Sequence, residues 1–244
     1  ALPISGGYKD AVEAKQRVDY VLLSHAHSDH YTGLSNAIAM LPDDCDGRVY
    51  DPGLERPGIG GYEYFRSASG CRYRTAGNGM SLNLDPQVGV SVVGVADQPY
   101  PSDDGWGINN TSMVTYLRYG RFAAVFTGDA QTEAEQRVVA DHMQLRANVV
   151  KVGHHGSCNA TGTTFLRAIA PQVALISAGQ ANDFGHPHCQ TLRKLAGQGV
   201  DWYRTDRNGS VTVISDGEHY TVVASRGQKS DSVCPRDCAA ASDF

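Results

Sequence analysis

Ser24-His25-Ala26-His27-Ser28-Asp29-His30 gathers three imidazoles and a carboxylate in one short stretch, directly after the apolar run 18–23. That run is β-branched and leucine-rich, as a strand buried on both faces would be. In an extended segment His25 and His27 fall on one face. Asp29 and His30 follow where the chain turns towards a helix expected over 32–41 and stopped by Pro42. One such peptide can serve two adjacent cations. Neutral imidazole nitrogens of His25 and His27 suit one ion and Asp29 with His30 a second, and these donors fit zinc or manganese.

Further ligands stand at later strand ends. Phe122-Ala-Ala-Val-Phe-Thr-Gly-Asp129 is an apolar strand that delivers one carboxylate at its C-terminal end, where open α/β sheets collect functional groups. Asp129 is placed to bridge both ions. Lys151-Val-Gly-His-His-Gly-Ser157 repeats the arrangement. Side-chain alternation lets one of its two histidines complete the second ion while the other points elsewhere. We assign His154 as ligand and His155 as proton donor, with the exchange left open. Phe184-Gly-His-Pro-His-Cys189 adds His186 and His188, which can bind a substrate anion or protonate a leaving group.

Around these motifs the chain alternates strands and helices. A short helix is expected over 8–17. Segment 43–100 is rich in Gly, Pro, Asn and Asp and reads as short strands and long loops, held by a disulfide between Cys45 and Cys71. Its aromatics Tyr62, Tyr64, Phe65 and Tyr73 read as core or loop anchors. Strands are expected over 113–118 and 122–126 as a hairpin, then at 148–152, 173–177, 200–204, 210–214 and 220–223. Helices are expected over 132–145, 163–170 and 189–195. Residues 225–244 read as a flexible tail or linker.

A chain of 244 residues can bury a large core as one domain. No apolar run is long enough to span a membrane. A formal net charge of -5 gives no global electrostatic case for nucleic acid. Six cysteines form an even set without C-x-x-C spacing. They point to bridges, including a local Cys234–Cys238 pair and a Cys158–Cys189 pair, and hence to a secreted, periplasmic or cell-surface setting.

In this order the motifs His-x-His-x-Asp-His, Gly-Asp and Gly-His-His-Gly-Ser resemble the metallo-β-lactamase superfamily, over residues 18 to about 224. With Asn109-Asn110-Thr-Ser, Gly185-His-Pro-His188 and Tyr203-Arg-Thr-Asp-Arg-Asn-Gly209, the chain resembles more narrowly the C-terminal hydrolase domain of ComEC-type competence proteins. The resemblance implies an α/β fold, a four-layered αββα sandwich over 1–224, and two divalent metal ions at the edge of the sheets. Carried over by motif, His25, His27 and Asp129 hold the first ion, and Asp29, His30, Asp129 and His154 the second. Three departures stand out: Asn109-Asn110 occupies the place of a histidine ligand, the usual opening strands before the first helix are not read, and the membrane channel of the competence proteins is absent, so a DNA-import role does not carry over.

The expected activity is a metal-dependent phosphodiesterase, a nuclease that cleaves DNA with a metal-activated hydroxide. Asp29, His155, His186 and His188 form the expected catalytic set, and Asn109, Asn110 and Ser157 orient phosphate oxygens. Arg204 and Arg207 are candidates for more distant phosphates. The competing readings are another hydrolase of this fold, a phosphorylcholine esterase or a lactamase, and a non-catalytic binding module.

Overall fold

The computed structural model describes residues 18–54, 58–96, 106–142, 145–229 and 237. The helix expected over 8–17, and Cys234 and Cys238, lie outside them.

Two sheets face each other. The smaller is parallel, ordered β1 (Val21–Leu22), β2 (Val49–Asp51) and β3 (Tyr73–Thr75). The larger has seven strands in the order β10-β9-β8-β7-β6-β5-β4. They are β4 (Ser81–Asp85), β5 (Val88–Gly94), β6 (Val114–Tyr119), β7 (Phe122–Phe126), β8 (Val149–Lys151), β9 (Val173–Ile176) and β10 (Asp201–Arg204). Strands β4 to β7 are antiparallel and β7 to β10 parallel. A hairpin, β11 (Val211–Ser215) with β12 (Tyr220–Ala224), completes the described strands.

The helices are α1 (Ser28–Tyr31), α2 (Leu34–Ile38), α3 (Gly60–Ser69), α4 (Trp106–Asn109), α5 (Thr132–Asp141), α6 (Thr163–Ile169), α7 (Cys189–Gly197) and α8 (Thr205–Asn208). Strand alternation sorts the core into layers. Val21 and Val49 pack with Ile38, Tyr62 and Phe65 of α2 and α3. Their neighbours Leu22 and Tyr50 point the other way, onto Val92 and Met113 of the larger sheet. Val93, Ala123 and Val125 then face Val138, Phe165, Leu166 and Leu192 of α5, α6 and α7. The order is therefore helix, sheet, sheet, helix, the expected αββα sandwich. Each buried Val, Leu, Ile or Phe in these layers contributes about 1.5–3 kcal/mol. The β11–β12 hairpin covers the rest of the larger sheet, with Val213, Tyr220 and Val222 against Phe122 and Ala124.

The expected elements of the second half occur with ends shifted by a few residues. Two local differences matter. The strand expected over 18–23 is two residues long, and α3 is a ten-residue helix in a region read as loops. Gly60-Gly61 hides that helix in the sequence, because glycine is a poor helix former. The space explains Gly61: a Cβ there would lie 2.7 Å from the Tyr31 ring. Tyr62 and Phe65 are buried, and Tyr62 and Tyr73 donate hydroxyl hydrogen bonds of 2.7 and 2.6 Å to the fully buried Asp51. Tyr64 is 65% exposed.

Cys45 and Cys71 are bridged, as expected. A closed loop of this order stabilises a fold by about 3 kcal/mol. Cys158 and Cys189 are also disulfide-bonded. Arg204 is fully buried in a two-point pair with Asp206 at 3.0 and 2.6 Å, which takes it out of reach of phosphate. Residues 225–229 are held to the fold, with Asn208 donating to the carbonyls of Arg226 and Gln228.

One buried carboxylate fixes the loop beyond the second histidine motif. Glu135 of α5 accepts the backbone N–H groups of Thr161 at 2.5 Å and Gly162 at 2.8 Å. Burial lifts its pKa from 4.5 to about 7. The folded chain therefore holds this proton more tightly than the unfolded chain, so the contribution of Glu135 to stability falls as pH rises from about 4.5 to about 7 and then levels. Glu135→Gln leaves one acceptor for two donors and is predicted to cost about 1–3 kcal/mol at pH 5. Chemical denaturation across pH checks this: the margin of wild type over the variant should narrow towards neutrality.

Candidate metal centre

The site forms where strand ends of both sheets meet. After β1, Leu23 N–H donates to Tyr50 O at 2.8 Å, and Met113 N–H donates to Ser24 O at 2.8 Å, which stitches the histidine loop of the small sheet to β6 of the large one. Beyond β7 the chain turns at Gly128, with φ +55°, and brings Asp129 N–H to Ser112 Oγ at 2.9 Å. A Cβ on residue 128 would lie 2.7 Å from Ser24 Cβ and 2.9 Å from Ser112 Oγ, so the close approach requires glycine.

Asp129 is 2% exposed and lies at the centre. Its Oδ2 is 3.4 Å from His30 Nε2, 3.3 Å from His155 Nε2 and 4.0 Å from His25 Nε2. Each of these rings is anchored at its other nitrogen. His25 Nδ1 lies 3.1 Å from Ser24 Oγ and 3.3 Å from Ser112 Oγ, His30 Nδ1 lies 3.2 Å from Ser24 Oγ, and His155 Nδ1–H donates to Ser177 O at 2.8 Å. An oxygen on Nδ1 with Nε2 turned inward is how metal-binding histidines are oriented. Asp29, exposed at the mouth, places Oδ2 3.2 Å from His155 Nε2.

The residues present fit a cation. His30 Nε2, His155 Nε2 and Asp129 Oδ1 are buried without a hydrogen bond of acceptable geometry, although buried polar atoms are nearly always paired. Two ligand groups emerge, His25 with His30 and Asp129, and Asp29 with His30 and His155, each with its donor atoms mutually within 4.8 Å. His27 adjoins the first, its Nδ1 3.0 Å from His25 Nε2.

The electrostatics follow from this packing. Burial disfavours charge on His155, yet the Asp129 and Asp29 carboxylates overcome it and lift its pKa to about 9. Asp29 is held well below the usual carboxylate range by the His155 imidazole 3.2 Å away. Burial alone would raise Asp129, but His155 and His30 more than offset it and hold it low. Burial, then the neighbouring His30, pushes His25 well down, leaving a neutral donor.

A turn, not strand alternation, places His154 and His155. The chain leaves β8 in a tight turn with both residues left-handed, at φ 45° and 53°. The turn, not a pleat, sets where they point. His155 joins Asp29 and Asp129, whereas His154 Nε2 lies 3.4 Å from Asn109 Nδ2. Left-handed backbone costs about 1–2 kcal/mol per residue, and the surrounding packing holds it.

Other expected residues are used differently. His188 accepts Cys158 N–H at Nδ1 (3.1 Å) and donates from Nε2 to Phe184 O (3.1 Å), so both nitrogens are committed to backbone and the expected proton transfer has no free site. Asn110 accepts Gln131 N–H and donates to Glu133, bracing the loop after Asp129 instead of facing it. Ser157 is buried, and its carbonyl accepts Thr191 Oγ–H. His186 does reach the site: its ring lies 5.5 Å from that of His154 and 6.3 Å from that of His155. Asn182 grips both of its backbone groups at 2.8 Å. Burial, then the neighbouring His188, lowers its pKa to about 3.

Three contributors were not singled out in the sequence. Ser24 and Ser112 orient imidazoles, and the Lys151 ammonium donates to Gly128 O at 3.2 Å and lies 3.8 Å from Asp129 Oδ1. All three sit inside the quoted motifs, but oxygen anchors on Nδ1 carry no sequence signature of their own.

No protein-family model matches the chain. It is 40% identical over 103 residues to ComE operon protein 3 of Bacillus subtilis, covering 42% of this chain and 13% of that protein. It is 29% identical over 199 residues to Competence protein ComA of Neisseria gonorrhoeae, covering 80% of this chain and 25% of that protein. The chain is thus similar in sequence to proteins named for competence. Recombination protein 2 of Haemophilus influenzae is 28% identical over 178 residues, 73% of this chain and 20% of that protein. The chain thus spans a quarter or less of these relatives. Among solved structures, an isothiocyanate hydrolase from Delia radicum gut bacteria aligns with a TM-score of 0.49 at 12% identity, over 92% of this chain and 83% of that one. A diphosphatase of the PhnP family aligns with a TM-score of 0.42 at 13% identity, over 84% and 67%.

The geometry separates the two adjacent histidines. His155→Ala is predicted to lose one equivalent of bound zinc or manganese by elemental analysis, and His154→Ala to keep it. The opposite pattern would return the ligand role to His154.

Proposed function

We propose that the chain is a metal-dependent phosphodiesterase that cleaves DNA. The observation that carries this reading is the convergence of three Nδ1-anchored imidazoles and the exposed Asp29 on one buried carboxylate, Asp129. His25, His27 and Asp129 would hold a first divalent ion, and Asp29, His30, Asp129 and His155 a second, either zinc or manganese. When bound, the ions lower the pKa of water enough to supply hydroxide near neutral pH and neutralise charge on a phosphodiester.

The protein's own groups set the stage for that chemistry. Lys151 adds to His155 and His30 in keeping Asp129 ionised while buried. His186, kept neutral, offers an N–H to a phosphate oxygen; it is not charged to act as a strong acid. Asn109, whose Oδ1 is buried and unpaired, holds His154 beside it. Asn110, committed to Gln131 and Glu133, would add no ligand to the first ion.

DNA as substrate is supported by relatives that are named for competence and recombination. An oxidising setting, outside the cytoplasm, is supported by the Cys45–Cys71 bridge. Among the described residues no helix is long and apolar enough to cross a membrane.

Two outcomes check the reading. Metal affinity should rise with pH up to about 9, because His155 must give up its proton to bind a cation, and calorimetry in buffers of different ionisation enthalpy should detect that release. The purified protein should cleave single-stranded or duplex DNA with manganese or zinc and stop on chelation, and Asp129→Ala should abolish cleavage in a folded protein. Hydrolysis of a lactam or a phosphorylcholine ester without cleavage of DNA would refute the assignment.

A further inference from the structure

Phe184 is the most exposed of the large hydrophobic side chains among the described residues, at 73%. It stands beside the metal centre. Its ring is nearly parallel to that of His186, 5.7 Å away at 20°, and His186 is in turn nearly parallel to His155, 6.3 Å away at 17°. The three rings form a ladder that starts at a residue touching Asp29 and Asp129 and ends in solvent.

The loop that carries the last ring is fixed. His188 Nε2–H donates to Phe184 O at 3.1 Å, Gly185 N–H donates to Asn182 O at 3.1 Å, and Asn182 clamps His186 on both sides. An apolar ring held rigidly in water gains free energy from any flat surface that covers it. Bases offer such surfaces, and stacking on an aromatic side chain tolerates every sequence because every base has a π-face. A base inside a duplex is already stacked on both sides and has no face to give.

We propose that Phe184 is a stacking platform for an unpaired base of a single-stranded nucleic acid whose backbone lies at the Asp129 centre. The proposal rests on the phosphodiesterase reading above and adds its substrate class. His186, between platform and centre, sets the platform's distance from the scissile phosphate.

Steady-state cleavage by the metal-loaded wild type, Phe184→Ala and Phe184→Trp tests it, on a single-stranded oligonucleotide and on the same strand with abasic sites. Phe184→Ala should raise KM on the natural strand about tenfold with kcat little changed, Phe184→Trp should restore it, and the abasic strand should be insensitive to both. An unchanged KM for Phe184→Ala on the natural strand, or an equal rise on both strands, would overturn the platform while leaving the phosphodiesterase standing. Wild type that cleaves neither strand would overturn both readings.

Discussion

Burying an ionised carboxylate is among the most costly acts a fold performs, and the sandwich buries Asp129 where its two sheets meet. Three imidazole nitrogens and the Lys151 ammonium surround it. Without them the charge would stand uncompensated, a defect of about 3–5 kcal/mol for a buried pair that loses one partner. Much else in the structure follows from providing that surround. The small sheet exists at this edge to deliver His25 and His30, β7 delivers the carboxylate itself, and β8 delivers Lys151 and His155.

The same constraint explains the glycine and serines of the site. Asp129 N–H must reach Ser112 Oγ, which forces the chain at residue 128 into a left-handed turn with no room for a side chain. Ser112 and Ser24 then fix the imidazole of His25, so one hydroxyl group links the backbone of the central carboxylate to the His25 ring. Distal supports are of the same kind. Glu135 holds the loop beyond His155, and Asn182 holds the loop that carries His186. The chemistry stands at loops, and buried side-chain-to-backbone bonds make those loops rigid.

Much of this was legible in the sequence because ligand type and strand-end position are local properties. His25, His27, Asp29, His30 and Asp129 can be read from residue identity beside apolar runs, and the layered fold from the alternation of elements. What could not be read depends on backbone or on distant partners. His154 and His155 were sorted by strand alternation, but two successive left-handed residues replace the pleat with a turn that brings His155 to Asp29 and Asp129. His188 looks like chemistry until its two backbone partners are seen. The helix Gly60–Ser69 was hidden because its two opening glycines, of which Gly61 clears the Tyr31 ring, argue against a helix.

The central claim is that Asp129 is the shared carboxylate of a metal centre completed by His155. Anomalous diffraction from crystals of the manganese-loaded protein tests it most directly. The account predicts manganese peaks in contact with Asp129, one of them also contacting Asp29, His30 and His155. Manganese bound by His154 instead of His155, or anomalous density that leaves Asp129 without an ion, would contradict it.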